Sequence, residues 1–283
     1  MKLAGTLGLI GCGHIGGSLA KAVRAAGAVG RVVGFDPAWD AEALSSFCDE
    51  IADTEGTAVA QADLVVLAVP LRGIAHAVAR VAPFLKKGAV VTDVGSTKQG
   101  IVTACEAILG EQARFVGAHP LAGTERSGPM AADPKLFAGR LVFVTPTSRT
   151  DKDALALVEA TWEAVGASIR HIPADLHDQI MAALSHLPHV AAYGLVGALY
   201  ERGVGDLCGM GGSGFTDTTR VASTRPATWV DIFLENRAAL LPLIDRLVHR
   251  ITALGDAIAA GDADKLEQLL AEGKHARERI LGA

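Results

Sequence analysis

Over the first 173 positions apolar residues fall in short unbroken runs separated by amphipathic stretches, and from Asp175 onward only helical spacing remains. Residues 6–10, 31–35, 63–69, 88–93, 141–145 and 168–172 have strand length without the alternation of a half-solvated strand. That is the pattern of parallel strands covered on both faces. Residues 151–165 carry helical periodicity, with Thr150 or Asp151 as N-cap and Gly166 as terminator. The alternation predicts a doubly wound, mostly parallel α/β domain over residues 1–173, ending at Pro173, and an all-α domain over residues 174–283.

One segment fits neither pattern. Gly117 to Gly128, GAHPLAGTERSG, sets His119, Thr124, Glu125, Arg126 and Ser127 between apolar runs, in a stretch too broken by glycine and proline for regular helix or strand. A strand over 114–117 leads into it, so His119 is expected just past a strand end. In the second half, a helix over 176–201 is interrupted at Ser185-His186-Leu187-Pro188-His189, where Pro188 removes a backbone donor and predicts a kink. Residues 203–214 are glycine-rich with no strand before them, which predicts a mobile loop and no second phosphate cradle. Pro226 opens a long helix through Trp229, Ile232, Phe233, Leu240, Leu243, Ile244 and Leu247, and residues 262–280 form a charged amphipathic helix. Their apolar faces exceed what so small a domain can bury, which predicts a homodimer interface.

Composition narrows the class. A length of 283 residues suits two compact domains, and 50% hydrophobic with 20% charged residues describes a folded globular chain. A net charge of −5 without a dense Lys/Arg block argues against nucleic acid and anionic membranes as partners. Cys12, Cys48, Cys105 and Cys208 form no ligand spacing, which disfavours disulfides and a zinc ribbon and fits a reducing cytoplasm. The opening MKLAGTLGLIGC faintly resembles a secretory signal, but its apolar run is short and holds three glycines. The apolar window 187–200 falls short of the roughly 18–20 residues of a membrane span, so no membrane anchor is expected.

The chemistry begins at Gly11-Cys12-Gly13-His14-Ile15-Gly16, a GxGxxG between a strand and a helix. Gly11 permits the tight turn, Gly13 lets a pyrophosphate approach the backbone, and Gly16 allows close helix packing. The helix N-terminus, with His14 and Ile15 in its first turn, then faces the phosphates. Asp36 ends the second strand twenty positions beyond Gly16, placed for the adenine ribose hydroxyls. A 2′-phosphate there would meet a carboxylate, and residues 32–71 contain no Lys or Arg, so this Rossmann fingerprint favours NAD over NADP. Ligands of such sheets sit at the carboxyl ends of strands, which nominates Val69-Pro70-Leu71-Arg72 and Gly95-Ser96-Thr97-Lys98. Arg72 and Lys98 fit either the site or a solvated surface. His119, on the same side of the sheet, is a candidate catalytic group. His186 and His189, three apart, share a helix face and either line a polar substrate cavity or are satisfied core histidines. Without carboxylate or thiolate ligands nearby they make a poor metal site, and no metal is expected. Arg220, one turn beyond Asp217, reads as a carboxylate receptor.

Along nearly the whole chain, GCGHIGGSLA, DVGSTK, GAHPLAGTERSG, LSHLPH, GFTDTTRVA and TWVDIFLEN occur in the order in which they resemble the prephenate/arogenate dehydrogenases of tyrosine biosynthesis. The resemblance implies a stand-alone, NAD-dependent dehydrogenase that oxidatively decarboxylates prephenate to 4-hydroxyphenylpyruvate. Arogenate, or both substrates, is the alternative, with tyrosine as product. A catalytically silent NAD-binding regulator is a third reading, against which stand His119, Ser96 and Arg220. By the same resemblance His119 accepts the substrate's hydroxyl proton with Ser96 as its hydrogen-bond partner, and Arg220 holds the ring carboxylate. Glu125, Asp217 and Arg220 gate the site, and Thr124 joins the substrate-binding set. His186 and His189 line the pocket, His189 near the substrate side chain, and Trp229 is a wall residue of this or the partner subunit. Arg225 departs from the acidic or amide residue more frequent before the family's proline.

Overall fold

The computed structural model describes residues 2–110, 114–123, 126–201 and 210–282. Among these, β1 (Ala4–Ile10), β2 (Val29–Phe35), β3 (Glu50–Ile51), β4 (Leu64–Leu67), β5 (Val90–Asp93), β6 (Arg114–Pro120), β7 (Leu141–Thr145) and β8 (Ser168–His171) form one sheet in the order β3-β2-β1-β4-β5-β6-β7-β8. The first six strands are mutually parallel, β7 runs antiparallel to β6, and β8 is parallel to β7. This is the doubly wound order with its topological switch between β1 and β4. Alternate residues explain the unbroken apolar runs: Leu64 and Val66 enter one hydrophobic core while Val65 and Leu67 enter the other, on the opposite face.

Helices α1 (His14–Ala25), α2 (Ala41–Leu44), α3 (Glu55–Val59), α4 (Ile74–Val81), α5 (Gln99–Leu109) and α6 (Lys152–Ala164) connect the strands. The Asp151 side chain caps α6 by accepting from Ala154 N at 2.8 Å, as the sequence pattern predicts. The His119 segment differs from expectation. Gly117–Pro120 is the second half of β6, so His119 lies within a strand, opposite Phe143 in the antiparallel ladder with β7. The register explains it: β5 pairs β6 only through Val116, and β7 takes up the backbone groups of the remaining residues.

Beyond Pro173 the chain is helical: α7 (Ala174–Met181), a single π-helical turn over Ala182–His186, α8 (Leu187–Glu201), α9 (Ser213–Thr219), α10 (Pro226–Glu235), α11 (Arg237–Ala260) and α12 (Ala263–Leu281). The π turn stands where Pro188 is predicted to disturb the helix, because a proline ring clashes with the carbonyl four residues back and removes one donor. The helical run nevertheless continues over Ala174–Glu201, 28 residues with a window of mean hydropathy 1.2, long and apolar enough to cross a membrane where the 187–200 window falls short. Here it carries buried His177, Asp178 and His186, and it packs Met181 against Phe143 and Ile172. The long helix expected from Pro226 onward is two helices, broken at Asn236. Asn236 is buried and donates from Nδ2 to the Asp178 carbonyl at 2.8 Å and to His186 Nδ1 at 3.1 Å. The expected glycine loop falls largely in residues 202–209, outside the described residues.

By contact density the chain divides into Met1–Asn236 and Arg237–Ala283, whereas the predicted boundary lies at 173/174. The second unit is the pair α11 and α12, joined by an Arg250–Glu272 ion pair at 2.7 Å. Within this single chain only Leu240 and Ala257 of α11 are buried and no residue of α12 is. Leu241, Val248, Ile251, Ile258 and Leu270 remain exposed.

Lys98, left open between surface and site, is fully buried and ion-paired with the equally buried Asp93. Replacing it with methionine leaves the Asp93 charge uncompensated in the interior. We expect Lys98→Met to destabilise the fold by about 3–5 kcal/mol and Asp93→Asn/Lys98→Met to recover part of that loss, measured by urea denaturation at fixed protein concentration.

Candidate active site

The glycine loop makes a tight turn that only glycine fits. Gly11 has φ +93°, a conformation that side chains avoid, and a Cβ there would lie 2.5 Å from the Ala68 carbonyl. A Cβ on Gly16 would meet the Gly11 carbonyl and approach Ala68 Cβ to 2.9 Å, so α1 can pack this close only with glycine. Over Gly13 the space is open. Gly13 gives α1 no side-chain cap and no acidic residue lies in its first turn, which leaves that helix end suited to an anion. The Asp36 carboxylate is fixed beside this loop, Oδ2 accepting from Cys12 N at 2.8 Å and Oδ1 from Ala38 N at 2.9 Å. His14, half-buried, bonds the backbone of Arg126, and burial lowers its pKa.

Next to the loop a cavity of about 330 Å³ is lined by Ile15, Val69, Pro70, Leu71, Val94, Gly95, Ser96 and residues of α10, among them Thr228 and Asp231. A second cavity of about 460 Å³ holds His119, Arg126, Ser185, His186, His189, Arg220 and Trp229. Ser96, Arg225, Thr228 and Ile232 line both. The two spaces therefore meet at Ser96, at the carboxyl end of β5, where parallel sheets of this order bind their ligands.

Each histidine of the larger cavity is held by a defined partner. His119 Nδ1 lies 2.9 Å from His177 Nε2, and His177 Nδ1 lies 2.8 Å from Asp178 Oδ1. His189 donates from Nδ1 to the Ser185 carbonyl at 2.8 Å and stacks on Trp229, ring centroids 3.4 Å apart. His186 Nδ1 accepts from Asn236, so in the neutral ring Nε2 carries the proton; that nitrogen is buried without a hydrogen-bond partner among the described residues and is available to a ligand acceptor. Burial lowers the pKa of all four. The His119 value is pushed well below the ordinary histidine range by burial, then by His177, Lys98 and His186, and that of His186 is lowered to about 4.

The structure thus brings together Ser96, His119, His186, His189, Arg220 and Trp229, and it puts Ile15, Val69 and Pro70 in the adjoining space. Trp229 lines the cavity of its own chain. Asp217 is exposed on α9, and no ion pair joins it to Arg220 among the described residues. Thr124 and Glu125 lie outside the described residues. Arg72 is exposed, paired with Glu235 at 3.4 Å, and lines neither cavity. Sequence reasoning missed His177, Asp178 and Asn236. The adjacent His-Asp pair was a signal, but helical spacing separated it from His186. At about 100° per residue, a separation of nine turns the two histidines to opposite faces of a regular helix. The π turn between them cancels part of that rotation.

Residues 19–171 match the family model described as prephenate dehydrogenase, nucleotide-binding domain, and residues 173–272 match prephenate dehydrogenase, dimerization domain. The chain is 37% identical over 277 residues to cyclohexadienyl dehydrogenase of Zymomonas mobilis, covering 96% of this chain and 94% of the relative. It is 30% identical over 292 residues to prephenate dehydrogenase of Bacillus subtilis, covering 99% and 77%. Among solved structures, prephenate dehydrogenase from A. aeolicus in complex with hydroxyphenyl propionate and NAD+ aligns with TM-score 0.88 and 35% identity over 98% of each chain. Synechocystis arogenate dehydrogenase aligns with TM-score 0.80 and 27% identity over 97% of this chain and 99% of that one. The resemblance carried by the six motifs and the match of both family models agree, and the chain belongs to the prephenate dehydrogenase family.

Proposed function

We propose that the chain catalyses the NAD-dependent oxidative decarboxylation of prephenate to 4-hydroxyphenylpyruvate. The observation that carries the reading is the meeting of two cavities at Ser96, one beside the glycine loop and the other holding His119 and Arg220. NAD, when bound, supplies the hydride acceptor. The loop residues Gly11, Gly13, His14, Ile15 and Gly16 hold its phosphates, Asp36 its adenine ribose, and Val69, Pro70 and Ser96 flank the end that receives the hydride. His119 takes the proton of the ring hydroxyl as that carbon loses its hydride. The electron pair of the C–CO2 bond then enters the ring, CO2 leaves, and His119 returns the proton to the same oxygen, now phenolic.

Arg220 holds the ring carboxylate, and Arg126 and Arg225, which line the same space, suit a substrate with a second carboxylate. His186 Nε2–H and His189 serve the substrate's remaining acceptors, with Trp229 as wall. Thr124, Glu125 and Asp217 belong to the substrate gate in this proposal. We keep the functional boundary at 173/174, in accord with the change of family model there. The exposed apolar residues of α11 and α12 and the match to a dimerization domain support a homodimer. Free Cys12, Cys48 and Cys105 suit a cytoplasmic setting. Arogenate is the second reading, favoured by the likeness to a cyclohexadienyl and to an arogenate dehydrogenase.

NADH formation at 340 nm with prephenate and arogenate side by side decides between the substrates, and turnover with neither would overturn the reading. Replacing NAD with NADP should abolish turnover, since Asp36 meets the 2′-phosphate; equal rates would remove Asp36 as the selector. We expect His119→Asn to lower kcat on the order of a hundredfold or more with NAD affinity intact, and Arg220→Gln chiefly to raise KM. Because His119 must be neutral to accept a proton and its pKa is depressed, activity is lost only as pH falls through that lowered value. The acid limb of kcat/KM should therefore lie well below pH 6.5, the ordinary histidine value, and a limb at or above it would exclude His119 as the group that titrates.

A further inference from the structure

We propose that His177 is a positioning residue for His119: it links His119 Nδ1 to the Asp178 carboxylate and holds His119 in the tautomer whose Nε2 is a bare acceptor for the cavity. The inference rests on His119 being the base. Asp178 is fixed at the N-terminus of α5. Asp178 Oδ1 accepts from Lys98 N at 2.7 Å and Oδ2 from Gln99 N at 3.0 Å, so both carboxylate oxygens face backbone donors at the helix start. An ionised carboxylate only accepts, so the proton of the 2.8 Å contact sits on His177 Nδ1. In a neutral His177 ring Nε2 is then an acceptor, and His119 Nδ1 must donate across the 2.9 Å contact. His119 Nε2 is left without a proton, the state that a general base requires.

A cationic His177 would reverse this. Both its nitrogens would donate, His119 Nδ1 would accept, and the His119 proton would move to Nε2, where it blocks the base. The surroundings keep His177 neutral. It is fully buried, and Lys98 opposes a second cation, against the opposite pull of Asp178 and Asp93. Among the described residues, His177 from α7, Lys98 ahead of α5 and His186 from the π turn act on the charge of His119 and all disfavour its protonation, and Arg126, His189, Arg220 and Arg225 line the same cavity. Phe143 of β7 meets the His177 ring edge-on, centroids 5.5 Å apart, and restrains it from swinging away. During turnover the link works in the other direction too: when His119 carries the substrate's proton, His177 Nε2 accepts from the imidazolium and the Asp178 charge stands behind it.

The test compares His177→Gln, whose amide oxygen can take the Nε2 position and accept from His119, with His177→Leu, which offers no acceptor. We expect the leucine variant to lose kcat by about ten- to a hundredfold with KM for prephenate and NAD within about twofold, and the glutamine variant to recover most of the loss. Nitrogen-15 histidine spectra of the full-length protein supply the readout that a merely structural role would not move. His119 should be protonated at Nδ1 in the wild type and the glutamine variant and shift toward Nε2 protonation in the leucine variant. Wild-type spectra with His119 protonated at Nε2 overturn the proposal even if the leucine variant fails to fold. So does a leucine variant with unchanged kcat, or equal losses in both variants with no change of tautomer. Failure of the base assignment is separate: His119→Asn would then turn over normally, whatever the spectra give for the tautomer.

Discussion

The buried Asp93–Lys98 ion pair ties the site together. Asp93 ends β5, and besides Lys98 it accepts from Gly95 N at 2.8 Å and from Ala118 N at 3.2 Å. One carboxylate therefore sets the end of the strand, the turn that carries Ser96, and the residue next to His119 on β6. Lys98 extends the connection, since its own backbone N–H goes to Asp178. Two buried charges are expensive unless paired and otherwise hydrogen-bonded, and here nearly every polar atom of the pair is used. The result is a rigid connection between the strand ends of the sheet and the first helix beyond Pro173.

That helix shows how a local irregularity builds a site. An uninterrupted α-helix over Ala174–Glu201 would direct His177 and His186 to opposite sides. The π turn before Pro188 brings them within electrostatic reach of each other, and Asn236 bridges Asp178 and His186 across the gap. The break after α10 follows from the same residue, because a buried side chain with two hydrogen bonds holds the chain where a continuous helix would carry it past. Single π turns inside helices recur at functional sites because they re-aim side chains without ending the helix.

What could be read from the sequence was whatever has a short range. The unbroken runs marked the strands because each is covered on both faces, and the glycine loop with Asp36 marked a candidate nucleotide site because its spacing follows from the turn itself. Asp151 and Pro226 marked helix starts for equally local reasons. His119 was singled out as a candidate but not placed in its element, since Gly117 and Pro120 argue against a strand unless β7 is known to lie alongside. Lys98 was ambiguous because burial of a lysine depends on a partner's position, and Asp93, five residues away, becomes that partner only when the loop folds back. His177 could not be linked to His186 because helical periodicity fails across a π turn.

The electrostatics of the larger cavity tie binding to chemistry. Lys98 lies behind it and Arg126, Arg220 and Arg225 line it, so the field in the cavity is positive before substrate arrives. That field attracts an anion, while the imidazole of His119 is held neutral first by burial and then by His177, Lys98 and His186. Low proton affinity, however, makes a weak base. On the proposed reading a substrate bearing two carboxylates neutralises part of the field as it binds, and closure of the cavity around it strengthens the remaining interactions. The proton affinity of His119 then rises when a hydroxyl is next to it and not before, while the His177–Asp178 link holds the acceptor nitrogen in place. A base that gains strength from its substrate's own charge needs no separate mechanism to stay neutral in the empty site.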